Sequence, residues 1–356
     1  MPTLNPMMFR TRGRGTPRTP AGGAAAGWRM MAGLAGAPVL VVSVFRAVPR
    51  EWPTTVVQLV SFTPWLVLPA SASLLFAVLG RRRWMAGAAA GLVAVQLFWL
   101  IPLDYARAAP ESGAGTAGGT VEVRAMSLNA KLGQADAAEI VRLVRENGIT
   151  LLTLQEYTKA LEDRLAAAGL ADLLPNRISA PAGGAAGNAV YSVHGLVAEG
   201  NVPESHFPMP MIRLTAESHG ERAVVELTNV HTRAPVGVGL PKWRSDLAAL
   251  GRQASRPGNV VLAGDFNASY DHAEFRRLLE GTGRTSVDVG MAQGSRLVPT
   301  WPMDDVLLPG ITIDHLVTSP SVRSAAYTVR RVPGTDHAAI MATLTVPATA
   351  GRSSLG

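Results

Sequence analysis

Eight polar side chains sit where apolar runs stop: Asn129, Glu156, His231, Asp265, Asn267, Asp314, Asp336 and His337. A single Asp or Asn at such a place is ordinarily a turn, because its side chain hydrogen-bonds its own backbone. The stretch "VVLAGDFNAS" alone reads as a turn about as readily as a site. A set spread over six strand ends, drawn only from Asn, Glu, His and Asp, is hard to assign to turns. Its chemistry is coherent. Glu156 and Asp336, with Asn129, offer hard oxygens that suit Mg2+ or Mn2+ and not a closed zinc site. A His beside an Asp positions or deprotonates a water. Amides and a second imidazole meet phosphate oxygens and the charge that develops on them. Together these suit metal-assisted hydrolysis of a phosphate ester.

Such a set needs strands that end on one sheet edge. Apolar runs over "VEVRAMSLNA", "ITLLTLQE", "RAVVELTNVHT", "NVVLAGDFN", "ITIDHLVTS" and "HAAIMATLTV" predict strands, and "DAAEIVRLVREN" has helical spacing and ends before Gly148. Further helices are expected around 242–254 and 272–280, giving an α/β domain over 121–347. Within "GDFN", Asp265 and Asn267 fall on one side of the chain because strand side chains alternate. By the same alternation His315 points away from Asp314. His194, His206, His219 and His272 are expected to be ordinary surface residues.

The chain before this domain differs in kind. Of the 356 residues, 1–107 hold 11 arginines, no lysine and only Glu51 and Asp104 as acids, a net +9. Residues 108–356 hold 22 basic against 24 acidic residues, a net −2, so the overall +7 belongs to the N-terminal third. Residues 1–29 carry no acid and read as a disordered basic cytoplasmic tail. Over 30–103 three apolar segments predict a three-helix transmembrane anchor, the first marginal and interrupted by Pro38. Arginines in the tail and the "RRR" of 81–83 place those parts in the cytoplasm and the later domain outside. Residues 104–120 read as a flexible Gly/Ala linker and 348–356 as a tail. With no cysteine, disulfides, thiolate metal sites and cysteine nucleophiles are excluded.

The pieces "SLNA", "LLTLQE", "GNAVYS", "TNVHT", "LAGDFN", "TWP", "TIDH" and "GTDHAAI" run in an order that resembles the endonuclease/exonuclease/phosphatase superfamily across residues 121–347. The resemblance implies a two-sheet α/β sandwich with helices outside. It implies Glu156 as main metal ligand, with Asn129 and Asp336, for Mg2+ or Mn2+. It also implies Asp265 orienting or deprotonating the attacking water, Asn267 binding phosphate, and His337 as a catalytic imidazole held by Asp314. His231 would contact the scissile phosphate or assist the leaving group. Thr335 stands where Ser is commoner before "DH" and keeps the hydroxyl. With the anchor included, the chain is similar to the actinobacterial VanJ-type membrane proteins linked to teicoplanin resistance, thought to act on lipid-linked pyrophosphate.

Three points bear on the substrate. The domain is neutral to acidic, whereas duplex binding draws heavily on Lys/Arg. No basic run with interleaved aromatics follows residue 120. A short tether holds the site near the bilayer, at high effective concentration for a lipid headgroup. These expectations favour a phosphorylated, lipid-linked substrate such as undecaprenyl pyrophosphate, with the bilayer as partner and nucleic acid disfavoured. An anchored nuclease or phosphodiesterase is the alternative enzyme, and a catalytically silent sensor the alternative class. Trp301, Pro302 and the "HFPMPMI" loop are candidates to touch lipid or the substrate rim, with packing the favoured expectation.

Overall fold

The computed structural model describes residues 21–101, 119–281, 285–304 and 306–349. The expected tail over 1–20, all but the end of the linker, and the tail from 350 lie outside the described residues.

Among the described residues, twelve strands form two six-stranded sheets. Their ranges are β1 (Thr120–Asn129), β2 (Leu151–Gln155), β3 (Asn176–Ala180), β4 (Asn188–Ser192), β5 (Gly195–Asn201), β6 (Pro210–Ser218), β7 (Glu221–His231), β8 (Asn259–Asp265), β9 (Val287–Asp288), β10 (Asp314–Thr318), β11 (Arg323–Arg331) and β12 (Ala338–Pro347). One sheet runs β11-β12-β1-β2-β4-β3 and the other β5-β6-β7-β8-β10-β9. Each has a parallel pair at its centre, β1 with β2 and β7 with β8. The inner faces pack on each other through Val121, Val123, Ala125, Leu151, Leu227, Val261, Ala263, Leu316 and Ile340. This is the expected two-sheet α/β sandwich.

Helices cover both outer faces. Ala137–Glu146 and Lys159–Ala167 pack on the first sheet through Ile140, Val144, Leu161 and Leu165. Side-chain caps start both: Asp136 accepts from the Glu139 N–H and Thr158 from the Leu161 N–H. Leu240–Ala254 and Ala273–Glu280 cover the second sheet through Trp243, Leu247, Phe275 and Leu278.

The N-terminal third departs from expectation in three ways. The first helix, α1 (Ala21–Ala47), runs unbroken through Pro38, so the basic tail expected over 1–29 is helical from Ala21. Alanine-rich sequence continues the apolar segment backwards, and Ala is the best helix former. The second segment is not a straight span. It splits into α2 (Thr54–Val60), a 3-10 turn over Thr63–Leu66 and α3 (Val67–Leu79), bent by 65°. Thr63 precedes Pro64, which disfavours helical backbone before it and removes a donor. The described residues therefore hold two helices long and apolar enough to cross a membrane, α1 over Gly23–Ala47 and α4 (Arg83–Leu100), and a third span only if the bent pair counts as one.

The apolar N-terminal helices also sit directly on the sandwich. Val57 of α2 joins the core made by Trp243 and Phe275. The Arg244 guanidinium donates to the Trp52 carbonyl, and the Trp65 indole donates to the Gly310 carbonyl at 2.9 Å. His272, expected on the surface, is 2 % exposed because α2 covers it. Its Nδ1 accepts from the Ser269 N–H at 2.9 Å, and its Nε2 lies 3.0 Å from the Val57 carbonyl.

Candidate active site

Chain direction collects the site. β1, β2, β7 and β8 end at one edge of the sandwich, where β10 and β12 begin. In register, His231 lies beside Asp265 across the parallel β7–β8 pair, and Asp314 lies beside Asp265 across the antiparallel β8–β10 pair. Along the inner faces, apolar side chains give way to polar ones toward this edge. On β1 the succession is Val121, Val123, Ala125, then buried Ser127 and Asn129. On β8 it is Val261, Ala263, then Asp265. Strand alternation thus delivers buried polar groups to the mouth between the sheets.

"GDFN" divides its labour by face. Phe266 is fully buried, edge-on to Phe275 at 5.5 Å, and its carbonyl accepts from the Thr232 hydroxyl at 2.6 Å. That fixes Asp265 and Asn267 on the other side. Gly264 has φ of 148°, and a Cβ there would meet the Val230 carbonyl oxygen at 2.0 Å, so no other residue fits. Asn267, at φ 47°, donates its own N–H to Asp265 Oδ1 at 2.8 Å and its Nδ2 to the Thr232 carbonyl at 3.1 Å. Glu156 also takes a left-handed conformation, φ 54°, a strain of about 1–3 kcal/mol that aims its carboxylate into the mouth.

The polar groups form one network. Asn129 Nδ2 donates to Asp265 Oδ2 at 3.0 Å and to Glu156 Oε1 at 3.3 Å, bridging two carboxylates. Its Oδ1 accepts from the Lys131 N–H at 3.0 Å. Glu156 Oε2 accepts from the Leu132 N–H at 2.7 Å. His231 Nε2 stands 3.7 Å from Glu156 and 3.9 Å from Asp265, with its ring stacked on Phe207 at 4.8 Å. His337 Nδ1 donates to both oxygens of Asp314, at 3.1 and 3.0 Å, while Nε2 faces Asp265 Oδ2 at 3.8 Å. The Thr335 hydroxyl donates to the Asn129 carbonyl and accepts from the His337 N–H, tying the "GTDH" loop to β1.

Burial would depress the His337 pKa, but the Asp314 and Asp265 carboxylates outweigh it and raise it to about 10. Burial pushes the Asp265 pKa up, with Asp314 adding to this and the two imidazoles opposing it. The pair thus stores a proton on the imidazole and leaves a carboxylate more basic than usual.

All eight expected residues lie at this mouth or its rim. Asp336 is the most peripheral, 25 % exposed, accepting from the Trp301 indole at 3.3 Å with Lys131 Nζ 3.9 Å away. Ligand atoms of Asp265, Asp314 and His337 lie within 4.8 Å of one another. That trio is not the expected metal set of Asn129, Glu156 and Asp336. Its imidazole bonds Asp314 through Nδ1 and turns Nε2 toward Asp265 at 3.8 Å, so the order is carboxylate–imidazole–carboxylate. Glu156 and Asp336 keep partly exposed oxygens at the mouth, which fits a hard divalent ion. Asn129 turns its nitrogen, not its oxygen, toward the carboxylates and so acts here as their bridge.

Sequence reasoning missed Lys131, which pairs with Asp304 at 3.0 Å on the rim; Phe207, from the "HFPMPMI" loop, forms the platform under His231. Also missed was the buried bridge under the site, Gln155 Nε2 donating to Asn229 Oδ1 at 2.6 Å between the sheets. Trp301, expected to pack, reaches the site through Asp336. His315 lies on the opposite face as expected, bonded to Asp288 at 2.6 Å.

The model of the Endonuclease/Exonuclease/phosphatase family matches residues 126–337. The chain belongs to that family, whose members are hydrolases acting on phosphate ester bonds. Among solved structures, the endonuclease/exonuclease/phosphatase from Beutenbergia cavernae DSM 12333 shares the fold at 19% identity and a TM-score of 0.50, over 64% of this chain and 72% of that one. An AP endonuclease from Archaeoglobus fulgidus is 14% identical, with a TM-score of 0.49 over 62% of this chain and 98% of its own. Truncated TDP2 from Caenorhabditis elegans is 18% identical, with a TM-score of 0.48 over 63% and 97%. No curated protein matches the sequence.

Proposed function

We propose that this protein is a membrane-anchored, extracytoplasmic, Mg2+-dependent phosphoric ester hydrolase. Its substrate is a lipid-linked phosphate or pyrophosphate of the undecaprenyl type, with a role in cell-wall lipid recycling or glycopeptide resistance. The observation that carries this reading is the docking of an apolar helical anchor onto the same sandwich that holds the Asp314–His337–Asp265 constellation. Sidedness is supported by charge. Arg29 Nε donates to the Gly80 carbonyl, so the first arginine of α1 and the "RRR" loop share the end remote from the sandwich. The positive-inside rule makes that end cytoplasmic.

In this reading the substrate phosphate sits at the mouth between Asn267, His231 and His337. Asp265 takes the proton of the attacking water as its oxygen bonds to phosphorus. The bond to the leaving oxygen breaks on the far side. His337, cationic and held by Asp314, neutralises charge on the phosphate oxygens. A divalent ion held by Glu156 and Asp336, with Asn129 behind them, supplies Lewis acidity when bound. Lys131 on the rim adds a positive charge for an anionic headgroup.

The test offers full-length protein in detergent with Mg2+ either undecaprenyl pyrophosphate or supercoiled plasmid. Release of inorganic phosphate from the lipid, with plasmid left intact, is expected. Nicked plasmid without phosphate release would replace this reading with an anchored nuclease.

A further inference from the structure

Two buried arginines converge on one carboxylate where the N-terminal helices meet the sandwich. Arg46, in the last turn of α1, donates from Nε to Asp271 Oδ1 at 2.6 Å, and its side chain is 8 % exposed. Arg296 spends Nη2 on both oxygens of the same carboxylate, at 2.8 and 2.9 Å. Arg276 donates to the carbonyls of Tyr270, Asp271 and Arg46. Two guanidinium groups, those of Arg46 and Arg296, thus share the Asp271 carboxylate, and Arg276 braces the backbone beside it. Nearby acids are committed elsewhere, Glu274 to Arg244 at 3.0 Å and Asp288 to His315.

Arg296 is the exception in this cluster. Its side chain is 8 % exposed, yet among the described residues its Nη1 is enclosed with no hydrogen-bond partner. An enclosed guanidinium N–H without an acceptor is costly, and an anionic oxygen is its strongest partner. Arg296 also lines a crevice of about 230 Å³ whose wall carries Asp271, paired with Arg296, and Asp288, paired with His315, beside a run of apolar side chains. Trp65 and Leu68 come from the anchor, Leu100 from the end of α4, and Leu297 and Ile311 from the sandwich. α1 and α4 both finish at this level and α3 begins there, so the crevice opens where apolar helices meet the domain. The Arg46 guanidinium lies 4.2 Å over the Trp99 ring, and an amphipathic indole at this level suits a bilayer surface.

We propose that this crevice binds an anionic phospholipid, its phosphate accepting from Arg296 Nη1 and an acyl chain lying along Leu68 and Leu100. The phosphate offsets the excess positive charge, and the apolar walls take the chain. The site is separate from the catalytic mouth: the crevice lies on the His315 face of β10 and the mouth on the Asp314 face. The proposal rests on the membrane-anchor part of the functional reading and not on the hydrolase part, so its test uses no substrate.

Full-length protein is stripped of lipid in detergent and offered phosphatidylglycerol and phosphatidylcholine in equal amounts, and retained lipid is weighed by native mass spectrometry. Wild type is expected to retain phosphatidylglycerol in preference. Arg296→Gln should weaken that retention about tenfold, the loss of one charge-assisted hydrogen bond. Leu68→Trp, which fills the apolar part and leaves the guanidinium in place, should weaken it as well. If Arg296→Gln does not fold, Leu68→Trp and Arg296→Lys carry the test. Equal retention of the two lipids, or retention unchanged in the variants that fold, would overturn the proposal. Inorganic phosphate binding to wild type with no lipid retained would make this a free-anion site and overturn it too.

Discussion

The catalytic mouth and the anchor junction are both buried and charged, with opposite signs in excess. At the mouth, Glu156, Asp265, Asp314 and Asp336 face His231, His337 and Lys131. At the junction, Arg46 and Arg296 share the Asp271 carboxylate. Buried charge is tolerated when paired and hydrogen-bonded, and an uncompensated excess is expensive. On the proposals above, a divalent cation and a phosphate would answer the charge at the mouth, and an anionic headgroup the charge at the junction. The two also differ in backbone. The mouth uses left-handed Glu156 and Asn267 to aim side chains, whereas the junction is built on helix ends and long arginines.

Perturbing the mouth should show the largest effect. His337→Ala is expected to lower kcat by about 10²–10⁴-fold, the range for removing a positioned acid–base group, while the fold persists. A variant that keeps wild-type turnover would contradict that role. Asn129→Ala, which unbridges Glu156 and Asp265, should cost about 10–100-fold and raise the Mg2+ needed for half-maximal rate. An unchanged Mg2+ dependence would remove Asn129 from the metal's surroundings.

The pH profile sharpens the contrast further. With its pKa raised from 6.5 to about 10, His337 stays cationic across neutrality, so the rate should fall only as pH rises toward 10. The acid limb should sit above the ordinary carboxylate range, because burial raises the Asp265 pKa. Linkage gives the matching sign for stability. The His337 contribution is complete below its unfolded value near 6.5 and is lost as pH rises through about 10. His337→Gln, followed by thermal melts across pH 6–10, should flatten that loss.

The smallest effect belongs to the junction. Arg46→Ala leaves Asp271 with Arg296, so the cost should be about 1–3 kcal/mol, seen as a lower melting midpoint of the full-length protein with turnover retained. A midpoint equal to wild type would mean the anchor does not brace the sandwich.

Much of the mouth was legible because strand alternation and order along the chain are written in one dimension. The turning away of His315 from Asp314 follows from the period of two, whereas Asn267 lies past the end of β8 at φ 47° and meets Asp265 through a turn. The anchor was less legible. Composition marked three apolar segments, but the bend at Pro64 depends on how the chain meets the domain. His272 looked like a surface residue because nothing local signals that α2 will cover it. Lys131 and the Gln155–Asn229 bridge were silent for the same reason: their partners lie 173 and 74 residues away. The crevice beside Arg296 is likewise made by segments far apart in sequence.

The most direct test of the hydrolase claim is release of inorganic phosphate from undecaprenyl pyrophosphate by full-length wild-type and Glu156→Gln protein across Mg2+ concentrations. Mg2+-dependent release by wild type, abolished by chelation, is expected, with a Glu156→Gln curve that is depressed and displaced to higher Mg2+. Release that ignores Mg2+, or a Glu156→Gln curve that overlays the wild type, would contradict that claim.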